Sequence, residues 1–256
     1  MQQVLLVTDY NMFDANIGLM KSVIEYKSPN IKTIDLAHGV PYDDIGLAAQ
    51  LIYKHLKFGF TGNIYLASVN NLYQRSPRYI AFHYKENYFI GPDNGLFSLV
   101  FNNLNTIPVF NINYPDNEPI NLYAIYSHAI ACIHHNLGLD TLGQVVEKID
   151  MKLLFLPVVT SDTIRATITS VDSFGNVITN LDKKTFYKSK GERSFKIFYD
   201  PRNPVTIINE HHGQVAIGEV SCIFNKSDHL ELGVNHGSIA DLYNLRKNET
   251  IQIDFI

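Results

Sequence analysis

Apolar positions along this chain follow two rhythms. As far as Asp150, short apolar runs alternate with segments of helical spacing. Residues 4–7, 31–36 and 64–69 read as strands. Residues 13–26 place Ile17, Met20, Val23 and Ile24 on one helical face, and residues 43–56 do the same with Ile45, Ala48, Ala49 and Ile52. Strands alternating with helices predict a parallel sheet covered on both faces. Residues 79–84 read as another strand, and 122–139 carry a further helical pattern. Between them, Gly91-Pro92-Asp93-Asn94-Gly95 is a dense turn signal, with Asp93 or Asn94 placed to cap a helix over the apolar run that follows. Pro157 and the cluster Thr160-Ser161-Asp162 end this regime, and from Thr163 the pattern is strand-like. Turns fall at Asp200-Pro201-Arg202-Asn203 and Glu210-His211-His212-Gly213. The prediction is an α/β protein. An N-terminal parallel-sheet sandwich domain spans residues 1–157, and a smaller, barrel-like all-β domain spans 163–256.

Composition narrows the partners. The 256 residues are 46% apolar, enough to bury a core in one large domain or two modest ones. Net charge is −4 without a basic block, so no nucleic-acid partner is expected. Cys132 and Cys222 lie far apart without CxxC spacing, which predicts neither a zinc site nor a disulfide framework, and no metal is expected. No apolar run reaches the roughly 20 residues of a spanning helix. Met1-Gln2-Gln3-Val4 enters a strand at once, without the look of a signal peptide. A cytoplasmic protein with no membrane partner is the expectation.

Candidate chemistry sits at strand ends. Ligands of parallel sheets bind at the carboxyl ends of the strands, where Asp9, His38 and Asn70 fall. Each also suits an ordinary cap or loop. In the second domain, residues 164–171 and 177–181 flank the turn Asp172-Ser173-Phe174-Gly175-Asn176. Gly175 accepts positive φ, and Asn176 tolerates it better than most residues. An aromatic face from Phe174, hydrogen bonds from Asn176 and the charge of Asp172 could hold a planar heterocycle. The same residues also suit a plain hairpin turn.

The turn V-D-S-F-G-N-V-I-T-N-L resembles the I-D-x-F-G-N-x-x-T-N-I signature of the S-adenosylmethionine (SAM) hydroxide adenosyltransferase family, which includes SAM-halogenating relatives. The resemblance extends over almost the whole chain. T-D-Y at Thr8–Tyr10 resembles the family's T-D-F, and D-A-N-I-G-L-M-K from Asp14 resembles D-x-Y-V-G-x-M-K. D-L-A-H-G-V-P from Asp35 resembles D-x-x-H-x-I-P, with His38 read as structural. F-I-G-P-D-N-G-L-F-S from Phe89 nearly repeats F-V-G-P-D-N-G-L-L-S, and L-E-L-G-V-N-H-G-S-I-A from Leu230 resembles L-E-I-A-V-N-Q-G-N-A-A. The resemblance implies that Asp9 binds the ribose hydroxyls, Asp172 the methionine amine, and Asn176 and the backbone near Asn235 the adenine, with Phe174 retained in the same binding frame. Lys226 and Ser227 lie where the family binds the methionine carboxylate with a Ser-Arg pair. It also implies a homotrimer with sites between subunits, and SAM or adenosine as ligand with no other cofactor.

The nucleophile side departs from this pattern. The family's V-D-P-G-V-G-T-x-R-R is here V-N-N-L-Y-Q-R-S-P-R, so Asn70 replaces the aspartate of the proposed water-activating set and Pro77 its arginine. Arg78 matches the second arginine. Where F-H-G-R-D-x-F-A-P is expected, the chain reads L-Y-A-I-Y-S-H-A-I-A, and the histidine has no secure counterpart. Asn70, Arg75 and His128 are the candidates for the nucleophile end. His134 and His135, about 100° apart on a helix, are read as rim residues and not as joint metal ligands. A SAM-cleaving enzyme with a rebuilt nucleophile site, a SAM- or adenosine-binding relative with little catalysis, and a relative that has lost its ligand and serves as an interaction protein all fit. A methyltransferase does not, because no glycine-rich loop follows the first strand.

Overall fold

The computed structural model describes residues 2–101, 104–114, 119–152 and 156–256. The chain divides into two compact units, Met1–Leu153 and Leu154–Ile256.

The first unit runs β1 (Gln3–Thr8), α1 (Ala15–Lys27), β2 (Lys32–Ala37), α2 (Ile45–Leu56), β3 (Ile64–Ser68), β4 (Tyr79–Tyr84), β5 (Asn87–Pro92), α3 (Leu96–Val100), β6 (Val109–Asn111) and α4 (Leu122–His134). Its sheet has the order β2-β1-β3-β5-β4-β6. Strand β1 is parallel to β2 and β3, and β3 to β5. The two-residue period of a strand sends Val4 and Leu6 to one face and Leu5 and Val7 to the other. Val4 and Leu6 pack with Met20 and Ile24 of α1 and Ile125, Ala129 and Ile130 of α4. Leu5 and Val7 pack with Ala48 and Ile52 of α2 and Leu96 and Phe97 of α3. Helices therefore cover both faces, as predicted, and the central strands read as unbroken apolar runs.

The sheet is mixed and not wholly parallel. Strands β4 and β5 form a hairpin, and β6 adds to β4 antiparallel. The hairpin turns through Lys85 and Glu86, both at positive φ (46° and 62°). That is the mirror-image turn that suits strand twist, but neither residue is one of its usual Gly, Asn or Asp signals. Helix α3 begins at Gly95 (φ 91°), and the cap hydrogen bond comes from Asn94, whose Oδ1 accepts from Leu96 N at 3.1 Å.

The second unit contains β7 (Val158–Val159), β8 (Thr163–Val171), β9 (Val177–Asp182), α5 (Lys183–Lys190), β10 (Phe195–Phe198), β11 (Pro204–Val205), β12 (Val220–Phe224), β13 (His229–Val234), α6 (Ile239–Leu242) and β14 (Thr250–Phe255). The strands pair antiparallel in the order β11-β10-β14-β8-β9-β13-β12, with β7 added to β8. The outer strands β11 and β12 approach each other, so the sheet curls into a nearly closed barrel. Its core includes Ile164, Ala166, Ile168, Leu181, Ile197, Cys222, Leu232 and Ile253. The unit is not all-β. Asp182 caps α5 by accepting from Thr185 N at 2.8 Å, and Phe186 of that helix is fully buried. Both cysteines are free and buried.

Candidate functional site

The first cluster lies at the carboxyl ends of β1 and β3. Asp9 extends the ladder by donating its N–H to Ser68 O at 3.1 Å. Its carboxylate then accepts the Asn70 N–H at Oδ2, at 2.8 Å. Asn70 can aim that N–H because it sits at φ 52°, in the left-handed region. Burial raises the Asp9 carboxyl above its ordinary value, and the amide N–H of Asn70 pulls the other way.

A layer of buried polar groups fixes the Asn70 turn. Asn94 Nδ2 donates to the carbonyls of Val69 (3.0 Å) and Asn70 (3.1 Å). Asn71 Nδ2 donates to Ser68 Oγ at 3.1 Å, the Tyr79 hydroxyl donates to Asn71 O at 3.2 Å, and the Tyr126 hydroxyl donates to Asn71 Oδ1. The Tyr79 and Tyr126 rings meet edge to face, with centroids 5.7 Å apart. Burial raises both phenols, and also Tyr10, which lies near Ser68 and Asp9. These hydroxyls are neutral at physiological pH. They orient partners and do not act as bases.

The remaining sequence candidates separate. Arg75 is exposed. His128 stands on the exposed side of α4 beside Cys132 (3.9 Å), whereas the side packed into the core carries Tyr126. Among the described residues, neither Arg75 nor His128 is hydrogen-bonded to Asn70, whose carbonyl and N–H are taken by Asn94 and Asp9. Position 126, not 128, shares a helical stripe with Ile130 and Ile133. Arg78 pairs with the buried Asp93, donating Nε–H to Oδ2 at 2.7 Å, and donates from Nη2 to Lys148 O at 2.8 Å. Asp93 Oδ1 also accepts Asp150 N at 2.9 Å. Burial pushes the Asp93 carboxyl up despite these partners. His38 bridges Thr8 Oγ1 (2.8 Å at Nδ1) and Asp35 Oδ1 (2.9 Å at Nε2), and Lys21 holds Asp35 at 2.6 Å. His134 and His135 lie against residues 27–29, within 3.3 Å of Pro29 O and 3.4 Å of Lys27 O. Among the described residues, no group of three or more His, Cys, Asp and Glu side chains could hold a metal ion.

The second cluster belongs to the barrel unit. Asp172 Oδ1 accepts from Phe174 N (2.9 Å) and Asn176 N (2.8 Å), and its Oδ2 from Asn176 Nδ2 (3.0 Å). The carboxylate thus shapes its own turn and keeps acceptor capacity at Oδ2 for a ligand amine. The turn also presents the Phe174 ring, 77% exposed. Gly175 has φ 79°, its carbonyl accepts from Ala240 N at 3.1 Å, and a Cβ there would collide with the Ser238 hydroxyl. A Cβ at Gly233 would collide with both Asn176 Oδ1 and the His212 ring, so these two groups converge on one spot. His212 is held between Ser221 Oγ (2.7 Å) and Glu231 Oε1 (3.0 Å). Asn235 donates its side chain to Val215 O at 2.8 Å and its N–H to Glu219 O at 3.0 Å. Ser227 sits in the β12–β13 turn, donating N–H to Asn225 Oδ1 at 2.9 Å, beside the exposed Lys226.

Sequence reasoning missed Asn71, Tyr79, Tyr126 and His212. A signal existed for Tyr126: a phenol on an otherwise apolar helix face must find a buried partner. Asn71 and His212 have partners distant in sequence, which leave no local signature.

Comparison with known proteins adds to this geometry. The model of the SAM hydroxide adenosyltransferase N-terminal domain matches residues 4–141, and that of the C-terminal domain residues 166–252. A protein of Thermus thermophilus named (R)-S-adenosyl-L-methionine hydrolase is 24% identical over 267 residues, covering 99% of this chain and all of its own length. Proteins of the same name from Methanocaldococcus jannaschii (25% identical, 87% of this chain and 78% of that one) and Salinispora tropica (24%, 96% and 95%) are also similar. The crystal structure of an uncharacterized conserved protein from Thermotoga maritima matches with a TM-score of 0.84 at 21% identity, covering 99% of this chain and 100% of that chain. A conserved hypothetical protein from Thermus thermophilus matches at 0.76 and 23%, over the full length of both. The two structural likenesses show the fold.

Proposed function

Because the chain belongs to the SAM hydroxide adenosyltransferase family, we propose that it binds SAM and directs water to the ribose C5′, giving adenosine and methionine. The observation that carries this reading is the half-buried Asp9 carboxylate at the end of β1, held by the Asn70 N–H. A carboxylate accepts from both vicinal hydroxyls of a ribose, and the carboxyl ends of parallel strands are where such ligands bind. In the barrel unit, Phe174 and Asn176 take the adenine, with the backbone near Asn235. Asp172 takes the methionine amine, and Ser227 with Lys226 the carboxylate. The similar proteins named (R)-S-adenosyl-L-methionine hydrolase support the same substrate.

The step itself asks little acid–base chemistry of the protein. The water oxygen forms a bond to C5′ as the C5′–S bond breaks. The electron pair of that bond stays on sulfur, and methionine leaves as a neutral thioether. The proton of the attacking water passes to solvent. Orientation and exclusion of bulk water supply the rate. Asn70 can orient the water but cannot take its proton near neutral pH. Each unit carries one part of the binding set, and we propose a homotrimer whose sites form between subunits.

A second reading has its own support. The groups clustered around Asp9 are Asn70, Asn71, Ser68 and three neutral phenols. Such a set suits a SAM- or adenosine-binding relative with weak catalysis or none.

Incubation with SAM in 18O-labelled water, followed by chromatography and mass spectrometry, tests these readings. Adenosine carrying the label at its 5′ oxygen, with methionine, is the expected outcome. Bound but intact SAM supports the second reading, and absence of binding overturns both.

A further inference from the structure

A φ of +52° is a minority conformation even for asparagine, which tolerates it better than most residues, and here the surroundings select it. Asn70 is held from both sides. Upstream and across, Asn94 binds the carbonyls of Val69 and Asn70. Downstream, Asn71 is pinned at three atoms: its carbonyl by Tyr79, its Oδ1 by Tyr126 and its Nδ2 on Ser68. Ser68 in turn is the last residue of β3, and its carbonyl receives the Asp9 N–H. Asn71, Ser68, Tyr79 and Tyr126 are all buried. A chain of hydrogen bonds thus runs from the core-packed side of α4 to the turn that presents an N–H to the Asp9 carboxylate.

We propose that Tyr126, acting through Asn71 and the Asn70 turn, is a positioning residue for the Asp9 carboxylate. The proposal rests on the reading that Asp9 binds the ribose diol. The link is chemical as well as steric. The Tyr126 hydroxyl is fully buried and stays a donor at every physiological pH. Without it, Asn71 Oδ1 is a buried acceptor with no donor, and the side chain must turn to find one. Turning also breaks the bond to Ser68. The downstream side of the Asn70 clamp then keeps only the Tyr79 bond to the Asn71 carbonyl, and the backbone can relax toward ordinary φ. Asp9 loses its N–H partner and the orientation that N–H imposed.

Two variants and two readouts test this. Tyr126→Phe removes one oxygen from a ring that otherwise keeps its packing. Ile130→Val trims the same helix face without touching the polar chain, and serves as the control for general loosening. The first readout is the titration of the Asp9 carboxyl followed by 13C NMR, together with the Asn70 amide proton. In Tyr126→Phe the Asp9 midpoint should move further up, because a hydrogen bond that favours its charged form has gone, and the Asn70 amide should exchange faster. Neither should move in Ile130→Val. The second readout is adenosine binding and SAM turnover. Tyr126→Phe should weaken adenosine about tenfold, as misplacing a charged hydrogen-bonding partner does, while Ile130→Val binds as wild type. If Tyr126→Phe fails to fold, Asn71→Ala cuts the same chain one link later and carries the same expectations. An unmoved Asp9 titration in a folded Tyr126→Phe or Asn71→Ala overturns the inference. A wild type that neither binds nor cleaves SAM overturns the functional reading instead, and the Asp9 titration still decides the positioning role.

Discussion

Burial raises the Asp9 carboxyl while the backbone N–H groups of Asn70 and of Asp9 itself oppose the shift, so the fold keeps a charge that it solvates less well than water does. The consequence for stability has a definite sign. The folded value lies above the unfolded one, about 3.8. Above the folded value the group is charged in both states, and the charge costs the folded state more. Below the unfolded value it is protonated in both, and the penalty is gone. Asp9→Asn keeps an acceptor for the Asn70 N–H and removes the charge. It should therefore raise the thermal midpoint at neutral pH, and this gain should shrink as pH falls through the Asp9 titration. The same variant should weaken adenosine by about 1.5–3 kcal/mol, the range for a hydrogen bond to a charged group. Calorimetry across pH and a binding isotherm measure the two. At this scale the position of Asp9 was legible, because a strand that ends in Thr-Asp before a helix has few other ways to place the carboxylate. What holds it was not legible, because a left-handed Asn70 depends on partners from β4, α4 and the loop before α3. Asp172 shows the same division. Its place in the turn follows from the local sequence, but its three bonds to the turn's own N–H groups appear only in three dimensions.

Elements were easier to read wherever one period dominated. Helices α1 and α2 keep their buried residues on one face, Met20 and Ile24 in the first and Ala48, Ala49 and Ile52 in the second; Asp44 caps α2 by accepting from Leu47 N, whereas Asp14 precedes α1 without a side-chain cap bond. The hairpin β4–β5 was hidden because Lys85 and Glu86 carry no turn signal. Left-handed conformations cost an ordinary L residue about 1–2 kcal/mol each. Replacing the pair by Asn-Gly, which favours this turn, should therefore stabilise the unit by about 1 kcal/mol, net of the Lys85 ammonium lost from the Tyr84 ring. Urea denaturation measures it, and a variant no more stable than wild type would contradict the turn assignment. The Gly-Pro-Asp-Asn-Gly segment is a different case. Its turn was legible, but the division of labour was not: Asn94 clamps β3 and caps α3, while Asp93 leaves the helix to face Arg78. Asp93 is 2% exposed, so Arg78→Met leaves a buried carboxylate with only the Asp150 N–H. A loss of about 3 kcal/mol is expected, read as a lower urea midpoint at unchanged slope. A loss below 0.5 kcal/mol, the ordinary effect of a surface change, would mean that solvent reaches Asp93 more freely than its burial indicates.

Each unit, taken by itself, exposes large apolar side chains around its own part of the candidate site. In the first unit these are Met12 and Phe13 after β1, Tyr42 after β2 and Leu72 after β3, with Phe13 97% exposed. They stand at the same strand ends as Asp9. In the second unit Phe174 and Leu242 flank the Gly175 turn, and Ile217 precedes the glycine that donates to Asn235 O. Single exposed apolar residues need no explanation, but a group of them beside candidate site residues marks a surface that something covers. The proposed homotrimer with intersubunit sites would account for both groups, and it would make binding depend on protein concentration. Adenosine binding, followed by saturation transfer to ligand protons, should then weaken on dilution in parallel with dissociation measured by sedimentation. Phe13→Glu places a charge in the apolar group of the first unit while leaving Asp9, Asn70 and the barrel residues intact. It should shift sedimentation toward the monomer and abolish binding, and high protein concentration should restore both together. Full binding by a demonstrated monomer would show that one chain completes its own site, and the exposed apolar groups would then need another partner to cover them.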